Sequence, residues 1–133
     1  MFTTKVKVYF YDADPAGIIF YASLFKYVHA SYEDFLRSLH TERNFFFDRD
    51  YILPIMHAEA DYVSPICVGD ELRIDLTVSL LKKSSFELNY KFYKEDGKFT
   101  ALAKTVHVCV LKEKFEKIEL PKDFYEKLKS NLN

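Results

Sequence analysis

With 133 residues, 49% of them apolar and 17% aromatic, the chain has the size of one domain and enough apolar mass for a core without metal or disulfide staples. A net charge of −1 and a pI near 6.4 lack the basic excess with which nucleic-acid binders displace phosphate counterions, which argues against nucleic acid as the main partner. The first residues show no basic segment followed by an apolar run, and no stretch approaches the roughly 18 apolar residues of a membrane span, so a cytoplasmic protein is expected.

Val6, Val8 and Phe10 alternate with Lys5, Lys7 and Tyr9, which predicts a first strand. A polar turn follows at residues 12–17. From about Ala22 to Leu39, apolar side chains recur at three- and four-residue steps: Leu24, Phe25, Val28, Tyr32, Phe35, Leu36 and Leu39. One broad apolar stripe of this kind predicts a helix covered by something wide, such as a sheet. Residues 44–50, with Phe45, Phe46 and Phe47, fit no single element.

Beyond them the chain is strand-like almost to its end. Ile55, His57, Glu59 and Asp61 alternate with Met56, Ala58, Ala60 and Tyr62, and the side with Ala58 and Ala60 is small enough for a bulky helix to approach. A turn at residues 68–71 leads into a strand at 72–81, where Leu72, Ile74, Leu76, Val78 and Leu80 form one face. Lys82, Lys83 and Ser84 interrupt the pattern before Phe86, Leu88, Tyr90 and Phe92 resume it. Asp96-Gly97 is a hairpin turn signal. Residues 101–111 are apolar enough to predict a strand covered on both faces. Pro121 opens a short helix at 122–130, since its missing N–H costs nothing in a first turn. Helices segregated from antiparallel strands make an α+β fold, with the sheet curled around one long helix.

Cys67 and Cys109 form no CxxC pair and are expected to be reduced thiols. The four histidines show no ligand spacing, so no metal is expected. His29 and His40 fall on the long helix or its end and are assigned to packing or the surface, and His107 to a hydrogen bond within the last strand.

The segment Tyr11-Asp12-Ala13-Asp14-Pro15-Ala16-Gly17-Ile18-Ile19-Phe20-Tyr21, leading directly into an apolar helix, resembles the active-site segment of the 4-hydroxybenzoyl-CoA thioesterase family of hot-dog proteins. Ala58, Tyr62, Pro65 and Gly69-Asp70-Glu71-Leu72 continue the resemblance, as does the basic pair Lys82-Lys83 before a strand. It runs in order from about Lys5 to Phe124. It implies a single hot-dog thioesterase domain over residues 1–133 that hydrolyses an aromatic or short-chain acyl-CoA. Asp14 takes the place of the catalytic aspartate, Gly17 that of the active-site glycine, and Tyr21 that of the backbone N–H polarising the thioester carbonyl. Leu53, Pro54 and Ile55 match a stretch that contacts the acyl group from across a dimer. Lys82 and Lys83 match residues that hold CoA phosphates, with Ser84 where some relatives carry a third basic residue. The resemblance further implies a homodimer, or a homotetramer as a dimer of dimers. No cofactor is expected, CoA being part of the substrate, and acyl carrier protein is a second possible acyl donor.

The chemistry suits the residue types. A helix N-terminus offers unpaired N–H groups and partial positive charge to an oxygen gaining charge. A carboxylate just upstream can attack the carbonyl carbon or activate water. Pro15 restricts Asp14 to extended backbone, and Gly17 permits a sharp turn. Asp12 is assigned a structural role, bonding to loop N–H groups. Two other readings compete: a hydroxyacyl-thioester dehydratase using His57 and Glu59, and a non-catalytic acyl-thioester binding dimer. Neither a GxSxG motif nor a cysteine–histidine constellation points to another hydrolase. The run Phe45–Phe47 would either line an acyl pocket or plug a sheet edge.

Overall fold

The apolar stripe of the sequence becomes helix α1, Ser23–Leu39, in the computed structural model of the chain, which describes residues 1–39 and 50–133. Leu24, Tyr27, Val28, Tyr32, Phe35 and Leu36 are buried along one side of it. The strands are β1 (Phe2–Lys7), β2 (Tyr51–Ile52), β3 (Ile55–Tyr62), β4 (Glu71–Leu81), β5 (Ser85–Lys94), β6 (Phe99–Val108) and β7 (Val110–Leu111), followed by helix α2 (Lys122–Lys129). Five of them form one antiparallel sheet in the order β1-β4-β5-β6-β3, while β2 and β7 pair separately.

The face turned toward α1 is built from every second residue of the central strands, because strand side chains alternate between faces. Leu72, Ile74, Leu76 and Val78 of β4, Phe86, Leu88, Tyr90 and Phe92 of β5, and Ala101 and Ala103 of β6 are all buried there. Burying a side chain of the larger kinds stabilises by about 1.5–3 kcal/mol, so this layer dominates the stability of the fold. Helix α2 closes the layer, with Phe124 edge-on to Phe86 at 5.9 Å. At the predicted hairpin, Gly97 has φ +86, and the Lys94 N–H bonds the Lys98 carbonyl at 2.9 Å.

Two expectations are corrected. The first strand stops at Lys7, and Phe10 is 85% exposed within a 3-10 turn at Phe10–Asp12. The cause is Asp12, whose carboxylate accepts the Tyr9 N–H and turns the chain. The second correction concerns residues 101–111, which are not covered on both faces. Buried residues alternate with half-buried ones along β6, because both helices pack on the same side of the sheet, and the strand breaks at Cys109 before β7. The Phe45–Phe47 run and His40 lie outside the described residues.

Among the described residues, strand β3 ends the sheet. It pairs with β6 on one side, and almost every residue along it is exposed, including Ile55, Met56 and Tyr62.

Candidate active site

Asp12 and Asp14 differ in environment although they are two residues apart. The chain from Asp12 to Phe20 doubles back on itself. The Asp14 N–H bonds the Ile18 carbonyl at 2.9 Å, and the Phe20 N–H bonds the Asp12 carbonyl at 2.8 Å. Pro15, Ala16 and Gly17 make the tip. Gly17 adopts φ +79, a conformation that a Cβ would strain. Asp14 Oδ1 accepts the Ala16 N–H at 2.9 Å, an Asx turn that orients the carboxylate. Its second oxygen has no protein partner among the described residues, and the side chain is exposed.

Asp12 is instead 1% exposed. It accepts the Tyr9 N–H at 3.2 Å and forms an ion pair with Lys26 of α1. Burial opposes its charge, but Lys26, Tyr27 and the Tyr9 N–H outweigh burial and hold the carboxyl below its ordinary range. This matches the structural role expected for it: Asp12 fastens the loop to the helix.

The helix entrance carries backbone donors without partners among the described residues. The Ser23 N–H bonds the Phe20 carbonyl at 2.8 Å, and the Phe25 N–H bonds the Ala22 carbonyl at 3.2 Å. The N–H groups of Tyr21 and Ala22 between them have no partner among the described residues. Two free donors at the start of a 17-residue helix are groups of the kind that can receive an oxygen gaining negative charge. Tyr62, at the end of β3, donates its hydroxyl to the Tyr21 carbonyl and so pins this turn. A groove of about 340 Å³ runs alongside, lined by Ile18, Tyr21, Tyr62, Val63 and Pro65 among others.

The remaining predicted residues lie elsewhere. The Val108 N–H bonds the Pro54 carbonyl at 3.2 Å, the Cys109 N–H bonds the Ser84 carbonyl at 2.8 Å, and Ile55 stands opposite His107. Leu53, Pro54 and Ile55 therefore sit beside the turn of Lys82, Lys83 and Ser84, whose two lysines are exposed. The Asp14 loop meets the other end of the sheet, where the Val68 N–H bonds the Gly17 carbonyl at 3.1 Å. The 11 residues of β4 separate the two clusters, roughly 35 Å at ~3.3 Å per residue. One chain does not bring them together. His57 and Glu59 bond each other at 3.0 Å, exposed, on the sheet face away from α1, opposite Val106 and Lys104. They share no space with the helix entrance.

Residues 8–128 match the thioesterase-like superfamily. The chain belongs to that superfamily. This thioesterase is 35% identical over 124 residues to a 1,4-dihydroxy-2-naphthoyl-CoA hydrolase of Thermosynechococcus vestitus, a match covering 92% of this chain and 85% of the relative. Among solved structures, a 1,4-dihydroxy-2-naphthoyl-CoA thioesterase from Synechocystis superposes with a TM-score of 0.87 at 30% identity, covering 96% of this chain and 94% of that one. A gentisyl-coenzyme A thioesterase superposes with a TM-score of 0.84 at 25% identity, covering 95% and 98%. The hot-dog fold is thereby shown, and the protein is a thioester hydrolase. The relatives named here are not 4-hydroxybenzoyl-CoA thioesterases, so the resemblance seen in the sequence holds at the level of the superfamily. No helix among the described residues is long and apolar enough to cross a membrane.

The thioesterase also contains polar groups whose part was not visible in the sequence. Tyr62 was legible only within the family resemblance, without a role. Tyr90, Thr105 and His107 form a buried chain: the Tyr90 hydroxyl lies 2.9 Å from Thr105 Oγ1, which lies 2.8 Å from His107 Nε2. The available signal was the two-residue step from Thr105 to His107, which puts both on one strand face. His107 is stacked between Tyr32 at 4.3 Å and Phe86 at 4.9 Å. Burial pushes its imidazole down to about 4, with the Leu53 backbone opposing and His29 adding to the shift.

This predicts an acid limb in stability. A histidine in the unfolded chain titrates near 6.5 and binds a proton that the folded His107 refuses. The contribution of His107 is therefore complete above pH 6.5. It is lost as pH falls toward 4, by about 3 kcal/mol. Asp12 adds a second loss at lower pH, as it protonates below its ordinary value of 3.8. Urea titrations from pH 7 to pH 4 should show the first decline in the wild type and a flatter profile in His107→Phe; equal slopes would contradict the assignment.

Proposed function

We propose that the protein hydrolyses an aromatic acyl-CoA to free acid and CoA, with the 1,4-dihydroxy-2-naphthoyl thioester as first candidate. The observation that carries this reading is the pair of free N–H groups at Tyr21 and Ala22, one short loop away from the exposed carboxylate of Asp14. The relatives hydrolysing that thioester support the choice of substrate. The thioester carbonyl accepts hydrogen bonds from the helix entrance, which makes its carbon electrophilic. Asp14 then attacks the carbon, expelling CoA thiolate and leaving a mixed anhydride that water cleaves. In the alternative route Asp14 takes a proton from water as the water attacks. Either route needs no cofactor beyond the CoA of the substrate.

The full site takes two chains. An antiparallel pairing of two β3 edges about a two-fold axis sets the Ile55 end of one strand against the Tyr62 end of the other. That arrangement brings Leu53, Pro54 and Ile55 of the partner subunit toward Asp14, with Lys82, Lys83 and Ser84 of the partner subunit placed for the CoA phosphates. A homodimer, or a tetramer of two such dimers, acting in the cytoplasm, is the working form. The dehydratase reading loses support because His57 and Glu59 lie on the opposite sheet face from the helix entrance.

A free-thiol release assay over aroyl-CoA, short aliphatic acyl-CoA and acyl carrier protein thioesters tests the proposal. Release from the aroyl-CoA esters is expected. Binding without release would favour the non-catalytic reading, and hydration of an enoyl-CoA without release would favour the lyase. Lys82→Ala/Lys83→Ala should raise KM for CoA thioesters about tenfold, the scale of one or two charge-assisted contacts, and leave pantetheine thioesters little changed. Equal effects on both would remove the phosphate role.

A further inference from the structure

The carbonyl of Tyr21 is left over by the helix that follows it. In a regular first turn it would accept the Phe25 N–H, four residues on, but that N–H bonds the Ala22 carbonyl at 3.2 Å. Among the described residues its partner is a side chain instead, the hydroxyl of Tyr62, 41 residues further along the chain. The end of β3 holds that hydroxyl in place. Tyr62 stands opposite Ala101 of β6, and the Val63 and Ser64 N–H groups both bond the Thr100 carbonyl, at 2.8 and 3.1 Å. Burial, and then the neighbouring Tyr21, push the phenol above its ordinary range, so at neutral pH it keeps its proton and donates.

What matters is the other end of the same amide. A peptide group is planar and rigid, so the Tyr21 carbonyl and the Ala22 N–H turn as one unit. A hydrogen bond accepted by the oxygen fixes the direction of the N–H and polarises it, strengthening the next bond in the chain by about 10–30%. The Ala22 N–H is one of the two donors without a partner among the described residues. The other, on Tyr21, belongs to the amide whose Phe20 carbonyl accepts the Ser23 N–H at 2.8 Å. Backbone thus fixes one donor, and Tyr62 fixes the other. Tyr21 and Tyr62 both line the groove of about 340 Å³, so their bond borders open space rather than packed core.

We propose that Tyr62 is a positioning residue for thioester hydrolysis: by bonding the Tyr21 carbonyl, its hydroxyl orients and polarises the Ala22 N–H toward the thioester oxygen. That oxygen gains charge as Asp14 or water attacks the carbon. The inference rests on the thioesterase reading given above and deepens it, naming Ala22 as a donor and Tyr62 as the residue acting through it. Tyr62 touches neither the reacting carbon nor its oxygen. Its proton stays on the phenol throughout, and no bond to Tyr62 forms or breaks. Tyr62 and the amide it holds belong to one chain, so this part of the machinery does not depend on the partner subunit.

The test measures single-turnover thiol release from an aroyl-CoA as the Tyr62 hydroxyl is altered stepwise. Tyr62→Phe should lower the rate about tenfold, the worth of one hydrogen bond. Substrate affinity should stay within about threefold, because the donor acts mainly in the transition state. Both tyrosines are exposed, so the substitution leaves no buried group unpaired and the fold should persist. Replacing Tyr62 by 3-fluorotyrosine and 3,5-difluorotyrosine, at a pH where every phenol stays protonated, keeps the shape and makes the hydroxyl a stronger donor. The rate should then rise with phenol acidity at unchanged affinity. A merely structural role would leave the three tyrosines equal, and a flat series overturns the proposal. Ala22→Pro deletes the N–H beside the first helical turn, where proline is tolerated, and should lower the rate about 10²-fold. In that background Tyr62→Phe should lose less than about twofold more; a further full tenfold loss would show that Tyr62 does not act through Ala22. If Ala22→Pro does not fold, the fluorotyrosine series decides alone. If no thioester is hydrolysed, the function assigned above fails, and the Ala22 amide proton resonance judges the inference separately. It should move upfield in Tyr62→Phe as polarisation is lost, and an unmoved resonance overturns it.

Discussion

Asp14→Asn is expected to lower kcat about 10²–10⁴-fold, the usual range for losing a positioned acid–base or nucleophilic carboxylate. The substitution isolates the charge. The Ala16 N–H donates to Asp14 Oδ1, and an asparagine oxygen can accept the same bond, so the Asx turn survives. Gly17 and the backbone bonds from Asp14 to Ile18 and Gly17 do not involve the side chain. What disappears is the negative oxygen needed either to attack the thioester or to take a proton from water. KM should stay within about threefold, because the carboxylate contributes to the transition state rather than to uniform binding. Thiol release at saturating substrate measures the effect, and a variant retaining half the wild-type rate would remove Asp14 from the chemistry. Asp12→Asn is the informative contrast. It breaks a buried ion pair with Lys26, so its first effect should be on stability.

Ala58→Lys should convert the protein to a monomer of 15.7 kDa and reduce thiol release about 10²-fold or more. Ala58 lies on β3, the exposed edge of the sheet, on the side facing α1. An inward-pointing lysine is one of the devices by which proteins keep sheet edges from pairing. The residue is already exposed in a single chain, so the substitution need not disturb the core. It is four residues from Tyr62, about 13 Å along the strand, and does not touch the Tyr21–Tyr62 bond of its own chain. Loss of activity together with loss of dimer mass would tie the two, as expected when Asp14 and the basic pair come from different chains. Light scattering that shows a monomeric wild type with full activity would refute the shared site.

Much of this protein is legible before folding is considered. The three- and four-residue recurrence of Leu24, Val28, Tyr32, Phe35 and Leu36 announces α1, and the two-residue alternation of β4 and β5 announces a sheet with one buried face. Asp-Pro-Ala-Gly after Asp12 announces a tight turn before the helix. These features depend on neighbours a few residues apart, where local sterics and turn chemistry dominate, and α1 and β4 came out within one residue of their expected limits.

Other features depend on which strand lies beside which. That Asp12 is buried and Asp14 exposed follows from Lys26 closing over one of two near-identical carboxylates. That β6 is covered on one face only follows from both helices packing on the same side. The buried chain Tyr90–Thr105–His107 exists because β5 and β6 bring the three side chains into line, at separations that composition does not encode. Local sequence specifies α1, the alternating strands β4 and β5 and the loop carrying Asp14, because each is set within a short window. That the Asp14 loop and the Lys82–Lys83 turn stand at opposite ends of the sheet follows from strand length and antiparallel register, which set that distance where spacing along the chain does not.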